Sequence, residues 1–317
     1  MQHAGRAVTA ADHEKIAIEQ LRGGLATVAT AMLPAVARVV VDLDLDQRGA
    51  HAIEWASSTA RALHVPLNAW VTVGSRSAER SIESEIESES ESESELDADT
   101  AHSARQWLLG RGVAVDELHV ASGRLDDDLV ASTKDGDIVV LGVDSTEGFS
   151  EWALGSHAHQ LVHALLCPLV IVPPCGPAPD NSPILVGVDG TDANGRVLQW
   201  ATRLADDLRR NLLPVFAYNT FYDTFDNAGA DVENEESVGR ACDSMLKELP
   251  GHPADVLTDV SQDTTAYLTV IGARQEHALR GLLVGSIVDH LLHHAPRPVA
   301  IVSYGAMRRH VDESGFR

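Results

Sequence analysis

The sequence predicts an α/β fold in two tandem copies, each an open parallel sheet with helices on both faces. Two observations lead to this prediction. Short apolar runs alternate with amphipathic stretches, which is typical of βαβ units around a buried parallel sheet. The chain also repeats itself: residues 37–56 align with residues 182–201 at an offset of 145, and residues 141–172 align without gaps with residues 271–302 at an offset of 130.

The apolar runs place the strands of each copy. In the first copy we predict strands at residues 38–43, 67–73, 115–120, 138–141 and 169–172. In the second copy we predict them at residues 184–188, 212–218, 268–271 and 299–302. Between the second and fourth strands of that copy, residues 254–260 remain to supply a third strand, a helix or part of each. The second copy is therefore expected to be trimmed.

The repeat also sets the domain organisation. We predict an N-terminal helical extension over residues 1–36, a first domain over 37–174, a linker over 175–182, a second domain over 183–305 and a C-terminal tail over 306–317. The linker carries the Pro and Gly residues that interrupt regular structure. Residues 82–97 of the first domain are almost purely Glu and Ser, a composition that predicts a solvated, mobile loop.

Charge and composition exclude several classes of partner. The 317 residues include 24 Lys and Arg against 47 Asp and Glu, a formal net charge of −23, which opposes binding to duplex nucleic acid or to an anionic membrane. There are three cysteines, without a metal-type spacing, which suits a reducing compartment. The sequence shows neither a signal peptide nor a run of roughly 18 apolar residues, so we expect a soluble, cytoplasmic protein.

One motif with anion-binding chemistry occurs in both copies. A glycine ends a buried strand, twelve residues follow, and a Gly-Ser pair opens a helix. Glycines let backbone N–H groups approach a phosphate, and the helix N-terminus adds free donors with a partial positive charge. An aspartate after the first strand lies at the same sheet edge, where ligands of open α/β sheets bind. The residues are Asp44, Gly142, Gly155 and Ser156 in the first copy and Asp189, Gly272, Gly285 and Ser286 in the second.

These motifs resemble the universal stress protein family, whose pattern is Gly-x2-Gly-x9-Gly-Ser/Thr after the fourth strand and a Val-Asp-Gly-Ser context after the first. The segment VGVDGT at residues 186–191 fits the second feature closely. The resemblance implies two Rossmann-like domains of the adenine nucleotide alpha hydrolase-like type, and ATP or AMP, with or without Mg²⁺, held by the aspartate and the glycine loop. It also implies pairing through the fifth strands, within one chain as a pseudo-dimer or between chains as a homodimer.

The resemblance assigns candidate nucleotide-binding residues to both copies. The middle glycine of the pattern is replaced by Ser145 in the first copy and by Gln275 in the second. The loop of the second copy carries arginines, whose forked donors suit phosphate, whereas acids surround that of the first copy. We therefore expect the nucleotide in the second copy and a structural role for the first. The second-copy residues are Asp189, Gly190, Thr191, Gly272, Arg274, Gly285 and Ser286, with Asp44, Gly142, Gly155 and Ser156 as weaker first-copy candidates.

No catalytic arrangement stands out, since the sequence lacks a G-x-S-x-G elbow and an HExxH motif. We predict a nucleotide-binding stress or signalling module with at most weak ATP hydrolysis, acting through unidentified protein partners. The alternatives are a nucleotide-free scaffold and, last, an enzyme. We predict no metal site, with a cation bridging Asp42, Asp44 and Asp46 as the open alternative. Trp55 and Trp200, at equivalent positions of the first helices, are predicted to pack in the core.

Overall fold

The fold is described from a computed structural model. It describes residues 35–72, 93–121, 125–143, 155–189, 192–218, 246–273 and 285–303. Several predictions fall outside these residues. They concern most of the N-terminal extension, the start of the Glu-Ser tract, Ser145, Gly190, Thr191, Arg274, Gln275 and the C-terminal tail.

Both halves of the described chain follow the predicted alternation of strands and helices. The first half contains β1 (Arg38–Asp42), α1 (Gln47–Leu63), β2 (Leu67–Thr72), α2 (Glu93–Gly110), β3 (Glu117–Ala121), α3 (Leu125–Ser132), β4 (Asp137–Gly142), α4 (Gly155–Ala164) and β5 (Leu169–Val172). The second half contains β6 (Ile184–Val188), α5 (Asp192–Asp207), β7 (Leu212–Tyr218), β8 (Lys247–Pro250), α6 (Pro253–Asp263), β9 (Leu268–Ala273), α7 (Ser286–His294) and β10 (Val299–Ser303). Each of the nine predicted strands is present to within about two residues.

Of the alternatives that the sequence left open for residues 254–260, the helix is correct, and the third strand of the second half lies where no strand was predicted. Residues 254–260 lie wholly inside α6, and the strand is β8, immediately upstream. The buried residues Ala254, Leu257 and Ser261 recur at helical spacing along α6. β8 has four residues with mostly exposed side chains, so it carries no apolar alternation, and its final proline is tolerated at a sheet edge. The second copy is shorter than the first, yet it keeps all five strands.

The end of the Glu-Ser tract is also corrected. We predicted a loop through residue 97, whereas α2 begins at Glu93. Acidic residues in a first helical turn interact favourably with the positive end of the helix dipole, so a Glu-rich segment can start a helix. Ala104 and Leu108, four residues apart, are buried and anchor the same helix on the sheet.

All ten strands belong to one sheet. Its order is β3-β2-β1-β4-β5-β10-β9-β6-β7-β8, and among the described strands the single antiparallel contact is that between β5 and β10. Ala300 pairs with Val170, flanked by the pairs Val299 with Ile171 and Ile301 with Leu169. At the offset of 130 these flanking pairs exchange with each other, so the central pair lies on a pseudo-twofold axis. The fifth strands therefore meet as the family resemblance implies.

Helices cover both faces of the sheet, as predicted. The hydrophobic core of one face contains buried residues of α1, α2 and α5, and the core of the other contains buried residues of α3, α4, α6 and α7. Trp200 is 7% exposed in the first of these cores, and the half-buried Trp55 packs against it. The prediction that both tryptophans pack in the core is confirmed.

Side chains tie the two halves together at the amino ends of the central strands. The Tyr267 hydroxyl lies 2.5 Å from Thr59 Oγ1 on α1. Thr59 donates its own proton to the carbonyl of Trp55, so Tyr267 is the donor in this bond. The Tyr267 ring also lies 5.6 Å from the Trp55 ring, between centroids. Burial raises the pKa of Tyr267, which keeps the hydroxyl protonated.

Two arginines fix the linker between the halves. Arg210 places its guanidinium 3.9 Å from the centroid of the Tyr267 ring and donates to three linker carbonyls. Arg297, 8% exposed, donates to the carbonyls of Gly176 and Ala266 at 2.8 and 3.0 Å. These bonds give the linker a defined path although its sequence disfavours regular structure.

The buried thiol of Cys167 is expected to make the folding stability of the protein depend on pH. Cys167 is 3% exposed, and burial, followed by the nearby charge of Asp137, raises its pKa from 9.0 to about 12. A raised folded-state pKa gives stability that is complete below pH 9 and is lost as the pH rises towards 12. When the pH is raised from 8 to 10.5, we expect the free energy of unfolding of wild type to fall by about 2 kcal/mol more than that of Cys167→Ala. Urea unfolding measures both values. An equal loss in both proteins would contradict this reading.

Candidate functional site

A cavity of about 250 Å³ lies at the carboxyl edge of the second half. Its walls come from the ends of β6, β7 and β9 and from the first turns of α6 and α7. Asp189, which follows β6, is the one ionisable side chain among the described lining residues, and Gly272 of β9 lines the same space. The other lining residues are apolar or glycine. An apolar cavity with a few polar groups is the usual form of a small-molecule site.

Gly187 keeps the floor of this cavity open. A Cβ atom at this position would lie 3.0 Å from Leu257 Cδ1 and 3.4 Å from Ile271 Cγ2, both of which belong to lining residues. A larger side chain would therefore displace the wall or fill the space. Glycine at this point of β6 therefore leaves room for the Leu257 and Ile271 side chains of the cavity wall.

The helix that opens beside the cavity begins with the Gly-Ser pair. Gly285 is the N-cap of α7 and makes no side-chain capping bond. Among the residues that the structure describes, no atom lies within 4 Å of the position that a Gly285 Cβ would occupy. The first-turn N–H groups of a helix are donors suited to an anion. Ser286 follows, and the next residue, Ile287, lines the cavity.

The structure thus brings part of the predicted second-copy site together. Asp189 and Gly272 line one cavity, and Gly285 and Ser286 begin the helix beside it. Sequence reasoning missed the residues of β7 and α6, which form much of the apolar wall. The signal that could have found them is the parallel order of the strands, since the end of β7 must lie next to the aspartate after β6. The missed lining residues are Val215, Phe216, Ala217, Pro253 and Leu257.

In the first half the corresponding backbone positions are kept. Asp44 follows β1, Gly142 ends β4, and Gly155 and Ser156 open α4. The chain after Asp44 turns tightly, because a Cβ on Gly49 would collide with the Asp44 carbonyl.

The alternative of a cation bridging three aspartates of the first half is not supported. It required Asp42, Asp44 and Asp46 to alternate along one strand, but β1 ends at Asp42. Asp46 instead accepts a hydrogen bond from the Gly49 N–H at 3.2 Å, as a helix N-cap does. Within the seven described stretches, no group of three or more His, Cys, Asp and Glu side chains could hold a metal ion.

None of the helices in the described part of the chain is long and apolar enough to cross a bilayer.

Two doubly wound parallel units occur here in tandem within one sheet. The second has an apolar cavity and a carboxylate at its carboxyl edge, the place where open α/β sheets usually bind ligands. The sequence model of the Universal stress protein family matches residues 36–173 and 181–303, so the chain belongs to that family.

Individual relatives agree with this assignment. Universal stress protein Rv2005c of Mycobacterium tuberculosis is 27% identical over 192 residues, which cover 55% of this chain and 64% of that protein. Universal stress protein Rv2623 of the same species is 26% identical over 194 residues, covering 55% and 63%. The match therefore spans less than two thirds of either relative's length. A universal stress protein structure from Archaeoglobus fulgidus shares the fold, with a TM-score of 0.58 at 14% identity over 84% of this chain and 98% of that one.

Proposed function

We propose that the protein is a cytoplasmic stress-response or signalling module that binds ATP or AMP in its second half. The observation that carries the proposal is the cavity at the carboxyl edge of β6, β7 and β9, where Asp189 and Gly272 meet. Ligands of open α/β sheets bind at this edge. The family resemblance supplies the class of ligand.

Each part of the cavity suits one part of a nucleotide. The apolar wall from β7 would contact the base, and the Asp189 carboxylate would accept hydrogen bonds from ribose hydroxyls. Gly272 would let the backbone approach the phosphates, and the start of α7 would donate N–H groups to them. Arg274, two residues beyond Gly272 in the sequence, would add a cation for phosphate or for a Mg²⁺-bound nucleotide.

The cavity suits binding better than catalysis. A hydrolase needs a group that positions or deprotonates the attacking water. Asp189 is the one ionisable group among the described lining residues, and in this proposal the ribose engages it. We therefore propose a module whose partners respond to its nucleotide state, with at most weak ATP hydrolysis.

Thermal unfolding tests the proposal. ATP and AMP at millimolar concentration, with and without Mg²⁺, are expected to raise the melting temperature, because a ligand at 100 times its Kd stabilises the folded state by about 2.7 kcal/mol. Mg²⁺ alone, with no nucleotide, is the control and is expected to give no shift. If neither nucleotide shifts the melting temperature, the nucleotide-free scaffold becomes the better account.

A further inference from the structure

The two halves differ in the strand residues that form the floor of the proposed nucleotide site. In the second half Gly187 and Val215 are neighbours across β6 and β7, and both line the cavity. The offset of 145 places Asp42 and Trp70 at these positions in the first half, and the strand register pairs the two in the same way. His119 of β3 is the next neighbour of Trp70 in this row. Paired residues of parallel strands project from the same face, so an acid and an indole replace glycine and valine there.

Contacts hold the Trp70 ring in place. It packs against the core that contains α3 and α4, and it stacks on the His119 ring with centroids 4.6 Å apart and planes 20° from parallel. His119 Nε2 lies 3.2 Å from Glu117 Oε2, which also accepts a bond of 2.6 Å from the Asn68 amide. Asn68 is 2% exposed. The imidazole on which the indole stacks is thus linked through Glu117 to the buried Asn68 amide.

We propose that the first half is closed by its own side chains, with the Trp70 indole occupying the place of a nucleotide base. Indole and purine are both planar systems of fused five- and six-membered rings. Asp42, 7% exposed, adds a carboxylate at the position where the second half has Gly187. This inference rests on the proposed function, and it predicts one nucleotide per chain rather than two.

Exchange of the floor residues tests the inference by the amount of ATP bound. In equilibrium dialysis with radiolabelled ATP, wild type is expected to bind one nucleotide per chain. Val215→Trp, which copies the floor of the first half, is expected to weaken that binding at least 100-fold. The double variant Asp42→Gly, Trp70→Val, which copies the second half, is expected to gain a second site. Trp70→Phe, which keeps a ring on the floor, is the matched control and gains none.

Two dialysis results would overturn the inference. One is two nucleotides per wild-type chain. The other is a combined result in which Val215→Trp binds ATP as tightly as wild type and the double variant Asp42→Gly, Trp70→Val gains no second site. No binding by wild type would instead overturn the proposed function, and a second measurement then decides the inference independently.

That second measurement needs no nucleotide. Trp70→Ala should leave a space shaped like its missing ring, so millimolar indole is expected to raise its melting temperature by several degrees. Trp107→Ala is the matched control, because Trp107 is a half-buried tryptophan of the same half whose ring is covered by the Arg111 guanidinium at 3.6 Å. Indole is expected to shift neither this control nor wild type. An equal response of all three proteins, or none from Trp70→Ala, would show that Trp70 fills no ligand-shaped space.

Discussion

Asp189→Ala is expected to weaken ATP binding about 10- to 150-fold, the equivalent of 1.5 to 3 kcal/mol for hydrogen bonds to a charged acceptor. Asp189 is exposed and lines the cavity, so its loss should alter folding stability by no more than about 0.5 kcal/mol. Isothermal titration calorimetry gives the affinity, and urea unfolding of the same samples gives the stability.

The same change in the first half shows which copy holds the nucleotide. Asp44 occupies the position of Asp189 at the offset of 145, so Asp44→Ala removes an equivalent aspartate. We expect ATP affinity to stay at the wild-type level in this variant. An Asp189→Ala protein that binds as tightly as wild type, or an Asp44→Ala protein that loses binding, would contradict the assignment.

The largest effect on stability is expected at the contact between β5 and β10. Val170 and Ala300 face each other there, and both are 0% exposed. Val170→Asp would bury a carboxylate opposite Ala300, so we expect the free energy of unfolding to fall by at least about 4 kcal/mol. Val170→Ala, which removes volume without adding charge, should cost about 1 to 3 kcal/mol. Urea unfolding compares the two variants with wild type.

The outcome of that comparison also tests the continuous sheet. If β5 and β10 pair as described, the aspartate must unfold or separate the halves, because Val170 and Ala300 are both fully buried. Equal midpoints for Val170→Asp and Val170→Ala would mean that position 170 is hydrated, and the ten-stranded sheet would then be wrong.

Much of the fold could be predicted from the sequence because the central strands are buried on both faces. Such strands are continuous apolar runs, as in Ile184–Val188, and their ends are marked by polar residues. β8 escaped prediction for the opposite reason. It lies at the edge of the sheet with mostly exposed side chains, so burial imposes no pattern on its four residues. Its pairing with β7 is visible only in the strand register.

The site could be predicted in part, for a different physical reason. Asp189 and Gly272 follow strand ends in short motifs, so sequence spacing identifies both. The cavity wall instead depends on which residues of neighbouring strands lie side by side. Val215 became recognisable as a floor residue once the register placed it beside Gly187. The same register shows that the two halves differ in the residues paired at this point, Asp42 with Trp70 and Gly187 with Val215. The sequence had separated the halves only by the charged residues of their glycine loops.

The nucleotide content of the purified protein tests the central claim most directly. The protein would be denatured, and the released small molecules separated by ion-exchange chromatography with mass detection and counted against protein concentration. A site in the second half alone predicts one ATP or AMP per chain, either as isolated or after incubation with ATP. Two per chain would contradict the closure of the first half. A protein that is empty and stays empty after incubation with millimolar ATP would contradict the nucleotide-binding function itself.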